Sequence, residues 1–326
     1  MKAVGLFSGG LDSILAVKII LNQGIDVVAL NFTLPFHQLN SDKNNQVIKA
    51  ARALKIPIKT FDIGLEYIKI IRNAKYGFGS GMNPCIDCKI YMIKKVKLYA
   101  KRIGAKFLFT GEVLGERPMS QNIRALKIIE KETGLEGKIV RPLSAKLLPE
   151  TEAEKNGFVN RDQLFDIKGR SRKMQIMLAK KYGITDYPTP AGGCLLTYKE
   201  YASKIEDLIQ NKSRIKLNDI QLLRIGRHFR YKKNKIIVSR NEKENKNLLE
   251  LKNKSDYYFE ASDIGSPITI LQGIKNNSAI TLAAQLTARY SDAEEESIPV
   301  KYYVGGSEHL IKVKNIDENK LNELKI

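Results

Sequence analysis

The stretch that decides the fold is Leu6-Phe7-Ser8-Gly9-Gly10-Leu11-Asp12-Ser13, near the start of the 326-residue chain. It joins an apolar run of strand length, Ala3–Phe7, to an apolar helical pattern that begins at Leu11. Glycine amides at a helix N-terminus attract a phosphate, because the loop N–H groups and the helix dipole both favour negative charge. Ser8 and Ser13 add hydroxyl groups. Asp12 would repel a phosphate, and a bridging Mg²⁺ resolves that conflict.

Strand and helix patterns alternate through the first half of the chain. The predicted strands are Ala3–Phe7, Asp26–Phe32, Ile58–Ile63 and Lys106–Thr110, and the predicted helices are Leu11–Asn22, Gln46–Leu54, Leu65–Ile71 and Cys88–Arg102. This alternation predicts an α/β fold, in which a parallel sheet has helices on both faces.

Ligands of such sheets bind beyond the carboxyl ends of the strands. We therefore expect the Ser8 loop to lie close to Thr110-Gly111-Glu112. At the end of the second strand, Asn31, Phe32 and Thr33 offer an edge suited to adenine.

The pattern changes twice after residue 168. From Gly169 it is mostly helical, with one loop at Tyr187–Cys194, and from about Gly226 short alternating runs around the predicted helix Ala279–Tyr290 indicate a smaller α+β domain. The expected organisation has a phosphate-binding domain at 1–168, a basic helical segment that carries the Cys194 loop at 169–225, and a C-terminal α+β domain at 226–326.

Positive charge is concentrated in one zone. The formal net charge is +20, and residues 168–235 hold 17 Lys and Arg against five Asp and Glu, whereas residues 226–326 hold 17 against 14. A localised basic zone favours a polyanion such as RNA, although a lysine-rich proteome would also raise the charge. The predicted contacts to the RNA backbone are Arg170, Arg172, Lys173, Arg227 and Arg230.

The sequence also suggests a compartment. Ser8 and Gly9 interrupt the first apolar run, which argues against a signal peptide, and no apolar stretch is long enough to span a bilayer. Three cysteines are too few for a disulfide scaffold. We expect a cytoplasmic protein with no membrane partner.

The cysteines are placed where reactive thiols are found. Cys85 and Cys88 form a CxxC on a predicted turn just before a helix, and Cys194 lies in the glycine-rich loop. Loops and helix N-termini favour thiolates. The residues alone leave three alternatives: a Cys85–Cys88 redox pair, a zinc site that lacks a fourth ligand, or an iron–sulfur cluster with one open iron.

Three segments resemble those of known families. Thr110–Asn122 and Arg141-Pro142-Leu143 resemble the TGE…SQ…RPL segments of the tRNA 4-thiouridine synthetases, and Ser8–Ser13 is similar to the SGGxDS loop of the PP-loop ATP pyrophosphatases. The resemblance implies an adenine nucleotide alpha hydrolase-like fold over residues 1 to about 160, and an enzyme that adenylates a substrate oxygen with ATP and releases pyrophosphate. The nucleotide-binding residues would be Ser8, Gly9, Gly10, Asp12, Ser13, Asn31, Phe32, Thr33, Gly111, Ser120 and Gln121. The chain departs from the family at Glu116–Met119, where glutamine and small residues are usual.

The cysteine set is similar to that of the iron–sulfur-dependent tRNA thiolation enzymes. This resemblance implies that Cys85, Cys88 and Cys194 hold a [4Fe–4S] cluster, and that they act with Asp12 in catalysis. The C-terminal region resembles a third family, the RNA-binding domain of ribosome quality-control and fibronectin-binding-like proteins. That resemblance rests on Ser239–Asn245, Asp256–Ala261, Gly265-Ser266-Pro267 and Ala283–Ser291, and Glu260 stands where the domain often has histidine.

The predicted function is an ATP-dependent sulfurtransferase that replaces a pyrimidine carbonyl oxygen of RNA, most readily tRNA, with sulfur. Free sulfide or a persulfide carrier would supply the sulfur, and a homodimer is left open. The alternatives are cysteine-persulfide thiolation without a cluster, an amide-forming PP-loop ligase, a non-catalytic RNA adaptor, and thiolation of a small molecule.

Overall fold

The computed structural model describes residues 1–36, 42–188 and 193–326, without the side chains of residues 42–45. His37 and residues 189–192 of the predicted glycine-rich loop lie outside the described residues. The chain divides into two compact units, Met1–Cys194 and Leu195–Ile326. Within the described part, no helix combines the length and apolarity needed to cross a membrane.

The first unit is built on a five-stranded parallel sheet in the order β3-β2-β1-β4-β5. Its strands are β1 (Lys2–Leu6), β2 (Asp26–Thr33), β3 (Ile58–Asp62), β4 (Phe107–Thr110) and β5 (Ile139–Val140). The four predicted strands are confirmed to within a residue or two at their ends. The fifth strand is missing from the prediction because a two-residue strand leaves no periodicity to detect.

Seven helices accompany this sheet in the described part of the unit. They are α1 (Leu11–Leu21), α2 (Asp42–Ala53), α3 (Glu66–Arg72), α4 (Cys85–Arg102), α5 (Ile123–Thr133), α6 (Glu152–Lys155) and α7 (Lys173–Lys181). Apolar side chains of α1, α2 and α7 pack on one face of the sheet, and those of α4 and α5 pack on the other. The expected α/β architecture with helices on both faces is therefore confirmed.

The segment 169–225 is not a separate part of the molecule, which corrects the expected division into three. Residues 169–194 belong to the first unit, because Leu178 and Ala179 of α7 are buried in the same core as Leu15 of α1. Residues 195–225 belong to the second unit, where Leu222 and Ile225 are core residues. The change of pattern at Gly226 marks the start of the second sheet, and two helices of the unit precede it.

The second unit contains a six-stranded antiparallel sheet in the order β11-β10-β8-β9-β7-β6. Its elements are α8 (Lys199–Asn211), α9 (Leu217–Leu222), β6 (Arg227–Tyr231), β7 (Asn234–Val238), α10 (Glu242–Leu251), β8 (Tyr257–Ala261), β9 (Thr269–Gln272), α11 (Asn277–Arg289), β10 (Ile298–Val304), β11 (Ser307–Val313) and α12 (Glu318–Leu324). One core forms between the sheet and α11, and a smaller one includes Leu222 and Leu248 from α9 and α10. The predicted α+β class of this region is confirmed.

Candidate functional site

The loop between β1 and α1 has the backbone shape of an anion-binding turn. Gly9 has a φ of +72°, a conformation that suits glycine, and Gly10 is the extended N-cap residue of α1. The Ser13 hydroxyl donates to the Gly10 carbonyl at 2.8 Å, and the Ser8 and Ser13 hydroxyls are 3.3 Å apart. The first amides of an eleven-residue helix thus follow directly from a glycine turn, as phosphate binding requires.

The loop after β4 lies against the same helix N-terminus, as we expected because ligands bind beyond the carboxyl ends of parallel strands. Leu6 of β1 is paired with Thr110 of β4, so the two strands end side by side. A methyl group added to Gly111 would stand 2.7 Å from the backbone nitrogen of Ser13. Only glycine permits this approach without displacing the first turn of α1.

The carboxylate of Asp12, in the first turn of α1, is only partly satisfied by hydrogen bonds. Its Oδ1 atom is buried and has no hydrogen-bond partner among the described residues. Burial raises the pKa of Asp12, and the nearby Arg172, Gln175 and Arg117 oppose that shift. Gln175 lies beside the carboxylate, although neither of its amide atoms meets a described partner in hydrogen-bonding geometry.

The predicted adenine edge is occupied by contacts within the unit. The buried Asn31 side chain donates to the carbonyl of Phe7 at 2.9 Å, which fixes the start of the Ser8 loop. Phe32 stacks on Phe61 with ring centroids 5.4 Å apart, and the Thr33 hydroxyl is 3.2 Å from Asp62 Oδ1. A role for Asn31, Phe32 and Thr33 in binding adenine stays a prediction.

Ser120 and Gln121 are both buried. The Arg117 amide donates to Gln121 Oε1 at 3.1 Å, and the Gly115 amide donates to the Gln121 carbonyl at 2.7 Å. Gln121 therefore holds the turn that presents Glu116 and Arg117. Direct nucleotide contact by Ser120 and Gln121 stays a prediction.

The structure contains a buried ion-pair network behind the Gly111 loop, which the sequence analysis did not predict. Arg141 donates from Nε to Glu112 Oε2 at 3.1 Å and from Nη1 to Glu130 at 2.5 Å, and Lys89 Nζ is 3.4 Å from Glu112 Oε1. Burial acts to raise the pKa of Glu112, but Lys89 and Arg141 outweigh it and hold that pKa below its usual value. Glu112 and Arg141 belong to the TGE and RPL motifs, so those motifs were the available sequence signal for this ion pair.

The CxxC lies inside α4 and not on the turn before it, which corrects the expectation. Pro84 is the N-cap residue, and the Cys88 amide donates to its carbonyl at 2.8 Å, so the helix already includes Cys85. The buried Asn83 side chain lies 3.1 Å from the Cys85 sulfur. The proline directly before Cys85 was the available sequence signal, because proline often opens a helix.

All three cysteines lie near one buried tyrosine. Burial raises the pKa of Tyr67 well above its usual value, and Cys88, Cys194 and Cys85 each add to that rise. Across residues 1–36, 42–188 and 193–326, however, no three His, Cys, Asp or Glu side chains are arranged to hold a metal ion. The three thiols are thus brought into one neighbourhood without being placed in coordination geometry.

The burial of Cys88 opposes the thiolate character expected of it. Burial raises the pKa of its thiol to about 12, while Tyr67 and Lys89 act in the opposite direction. A helix N-terminus favours a thiolate only when desolvation does not cost more.

The cations predicted to contact RNA fall into two groups. Arg170 and Lys173 are exposed, whereas Arg172 is half-buried beside Asp12. In the second unit, Arg230 donates to both carboxylate oxygens of Asp207, at 2.7 and 2.6 Å, and Arg227 lies over the ring of Tyr290 at 4.3 Å. RNA contact by all five cations stays a prediction.

The second unit presents a pair of stacked aromatic rings on its sheet. Tyr258 and Tyr303 lie with centroids 4.4 Å apart and planes 9° from parallel, and Lys252 Nζ is 5.3 Å from the Tyr258 centroid. The Tyr303 hydroxyl donates to Glu260 at 2.8 Å. Sequence patterns predicted these strands but not the ring pairing across them.

Both ends of the chain match known families. Residues 1–146 match the family described as thiamine biosynthesis protein (ThiI), and residues 226–324 match the NFACT protein RNA binding domain. These matches confirm the resemblances inferred from the PP-loop motifs and from the C-terminal motifs.

Two curated relatives each match less than half of the chain. A protein of Thermococcus kodakarensis named probable tRNA sulfurtransferase is 28% identical over 149 residues, and a protein of Methanocaldococcus jannaschii with the same name is 26% identical over 148 residues. Each match covers 44% of this chain and 36% of the relative. The chain therefore spans about a third of the length of these relatives.

Solved structures overlap with the chain in part. A 4-thiouridine synthetase in complex with RNA and bound ATP covers 68% of this chain and 52% of its own length, with 23% identity and a TM-score of 0.40. The C-terminal part of the fibronectin/fibrinogen-binding protein from Streptococcus suis covers 80% of this chain and 99% of its own length, with 14% identity and a TM-score of 0.29.

Proposed function

We propose that this chain is an ATP-dependent sulfurtransferase that acts on RNA, with tRNA as its substrate. A pyrimidine carbonyl oxygen attacks the α-phosphorus of ATP, the bond to pyrophosphate breaks, and the oxygen leaves later as AMP when sulfur takes its place. The observation that carries the proposal is that one unit contains both the Ser8–Ser13 anion-binding loop and three cysteines around Tyr67.

The loop between β1 and α1 is suited to holding a triphosphate. Its glycines leave the backbone N–H groups open to phosphate oxygens, and the N-terminus of α1 adds a fixed positive dipole. Such preorganised donors stabilise charge that develops on phosphate in the transition state without further rearrangement. Asn31 keeps the strand end in place through its bond to the Phe7 carbonyl.

Mg²⁺ fits the residues around Asp12. A buried carboxylate oxygen without a described partner, next to a phosphate-binding turn, is the donor that Mg²⁺ uses together with phosphate oxygens. When bound there, the ion would neutralise phosphate charge. Arg172 and Arg117, which approach the same carboxylate, would stabilise the same charge.

The donor chemistry of the cysteines fits an iron–sulfur cluster. Cys85, Cys88 and Cys194 would hold a [4Fe–4S] cluster by three thiolates and leave one iron for exogenous sulfide. The same three residues also suit the alternative, in which a persulfide on one of them attacks the adenylated carbon and AMP leaves. A second cysteine would then break the S–S bond and release the thiolated base, and an external thiol would reduce the disulfide that remains. In both cases the buried Tyr67 is the neighbour that the three cysteines share.

The second unit would hold the RNA. Residues 226–324 match an RNA-binding domain, and the half-buried, mutually stacked rings of Tyr258 and Tyr303 offer an aromatic surface for an unpaired base. A base must leave its stack to reach a catalytic pocket, so binding to a single-stranded or loop region of the RNA is expected.

The test is anaerobic purification followed by iron and sulfide quantitation, an absorption spectrum, and a reaction with bulk tRNA, ATP and sulfide. Pyrophosphate release and thiolated nucleosides, detected by mass spectrometry, are the expected products. Asp12→Asn is expected to abolish both, whereas Asp26→Asn, which changes an exposed carboxylate in the same unit, is a matched control and is expected to preserve both.

The outcomes separate the alternatives. An iron-free protein that thiolates tRNA when a persulfide donor is supplied, but not with sulfide, would favour the persulfide chemistry. Single Cys→Ser changes at Cys85, Cys88 and Cys194 that leave ATP turnover unchanged, in a reaction that yields no thiolated nucleoside, would contradict a sulfurtransferase and favour an amide-forming ligase.

A further inference from the structure

We propose that the beginning of α7 forms a second wall of the phosphate site, in which Arg172 binds phosphate oxygens of ATP and the Gln175 amide contacts the bound nucleotide beside Asp12. The inference rests on the proposed binding of ATP at the Ser8–Ser13 loop. It assigns Arg172 to the nucleotide, in place of the RNA backbone contact expected from charge alone.

Packing in the first unit brings these residues to the loop. α7 begins directly after Arg172, and its Leu178 and Ala179 are buried in the core that also contains Leu15 of α1. Both helices are therefore fixed against each other by apolar side chains. The first turn of α7 comes to lie beside Asp12, in the first turn of α1, although 160 residues of sequence separate Arg172 from Asp12.

The polar atoms at this junction lack protein partners. Gln175 is fully buried, and both of its amide atoms, together with Arg172 Nε and Asp12 Oδ1, have no hydrogen-bond partner among the described residues. An unmet buried polar group costs about 1–3 kcal/mol, and native proteins contain few of them. Four such atoms on three adjacent residues point to a bound ligand that supplies the missing partners.

The charges at the junction have both signs, which suits a nucleotide that carries Mg²⁺. Arg172 and Arg117 face Asp12, and Glu116 also lies near it, so two guanidinium groups and two carboxylates surround the junction. Triphosphate oxygens would accept hydrogen bonds from the guanidinium groups. The carboxylates would be balanced by the Mg²⁺ that accompanies the nucleotide. Arginine suits this task because its planar donors match phosphate oxygens in pairs.

Arg172 is less exposed to solvent than its basic neighbours in the sequence. Arg170 and Lys173 are exposed, as a contact to an RNA backbone requires, whereas Arg172 is half-buried. The sequence Gly169-Arg170-Ser171-Arg172-Lys173 thus contains one cation directed towards the nucleotide loop and two that remain open to solvent.

The test measures the binding of ATP and AMP, each with Mg²⁺, to the full chain by isothermal titration calorimetry. Arg172→Ala is expected to weaken ATP binding by about tenfold to a hundredfold, the effect of losing a charged hydrogen bond, and to change AMP binding much less. Arg172→Lys is expected to recover part of the loss. Lys180→Ala removes a cation from the exposed far end of α7 and is expected to leave ATP binding unchanged.

The role of Gln175 is tested by the dependence on Mg²⁺. Gln175→Leu keeps the size of the side chain but removes its amide, so it is expected to raise the Mg²⁺ concentration needed for half-maximal ATP binding. Gln175→Glu, which adds a charge next to Asp12, is expected to alter that concentration in a different way from Gln175→Leu. Circular dichroism and thermal unfolding establish that each variant is folded.

The outcomes distinguish this inference from the proposed function. If the wild type binds ATP and Arg172→Ala binds ATP equally well, the inference is overturned while the proposed function stands. If Arg172→Ala loses tRNA affinity but keeps ATP affinity, Arg172 is an RNA contact and the inference is also overturned. If the wild type itself binds no ATP, both fall.

Discussion

Replacing Arg141 by methionine probes the buried ion-pair network behind the Gly111 loop. The side chains of Arg141 and Glu112 are only 4% and 3% exposed, and their contact at 3.1 Å is accompanied by the contact of Arg141 with Glu130 at 2.5 Å. Methionine keeps much of the length and apolar volume of arginine. Loss of charge and of two hydrogen bonds is therefore the main change.

The size of the effect follows from the burial. Removing one partner of a buried ion pair typically costs about 3–5 kcal/mol, because the other charge is left without compensation. Lys89 remains 3.4 Å from Glu112 and retains one cation near it. We therefore expect Arg141→Met to lower the free energy of unfolding by about 3 kcal/mol, at the lower end of that range.

The measurement is urea unfolding at pH 7, followed by circular dichroism. Lys138→Met is the matched control, because it breaks an ion pair in the same unit whose partners are 48% and 58% exposed. Such surface pairs contribute at most about 1 kcal/mol. A loss of stability in Arg141→Met no larger than that in Lys138→Met would refute the reasoning.

The difference in the free energy of unfolding between wild type and Arg141→Met also depends on pH, and the direction of that dependence follows from Glu112. The pKa of Glu112 is held below its ordinary value of 4.5 in the folded protein. A carboxyl group with a lowered folded pKa stabilises the fold above its unfolded pKa, and that contribution disappears as the pH falls through the folded pKa. The difference in stability is therefore complete at pH 7 and shrinks below about pH 4.5.

Three further changes test other parts of the molecule. Gly111→Ala places a methyl group 2.7 Å from the Ser13 nitrogen, so it is expected to lower stability by about 1–3 kcal/mol and to weaken ATP binding; unchanged urea unfolding and calorimetry would contradict the close packing. Asn31→Ala leaves the carbonyl at the start of the loop unpaired and is expected to cost about 1–3 kcal/mol in the same unfolding experiment. Tyr258→Ala removes a stacking surface worth about 1–3 kcal/mol per base, so fluorescence anisotropy is expected to show tRNA affinity reduced by about fivefold to a hundredfold, whereas Tyr303→Phe keeps its ring and its affinity.

Local signals predicted most of the fold. The run Ala3–Phe7, the glycines after it and the apolar pattern from Leu11 define a strand, a turn and a helix within twenty residues, so no distant contact is needed to recognise them. The order of the strands could not be read in the same way, but the rule that ligands bind at carboxyl ends correctly brought Gly111 next to the Ser8 loop.

Contacts between distant residues account for what the sequence did not predict. Glu112 and Arg141 are 29 residues apart, and Asp12 and Arg172 are 160 apart, so no periodicity links them. The local charge led to the same prediction, an RNA contact, for Arg172 and Arg230. In the structure Arg172 lies beside Asp12, whereas Arg230 is paired with Asp207. The boundary at 168 was wrong because α7 reads as helix in either unit, and only its packing on α1 decides where it belongs.

The buried network explains how α4 and the phosphate loop are held together. Lys89 follows Cys88 on α4 and lies 3.4 Å from Glu112, which is adjacent to Gly111, and Gly111 packs against the backbone of Ser13. Each of these contacts is buried or permits no added atom, so the cysteine-bearing helix cannot move far relative to the loop without breaking an ion pair or opening a gap. In the proposed reaction, the phosphate loop and the two cysteines of α4 are therefore held in a fixed relation to each other. The target base of the RNA would have to reach a site in which these two parts are already in place.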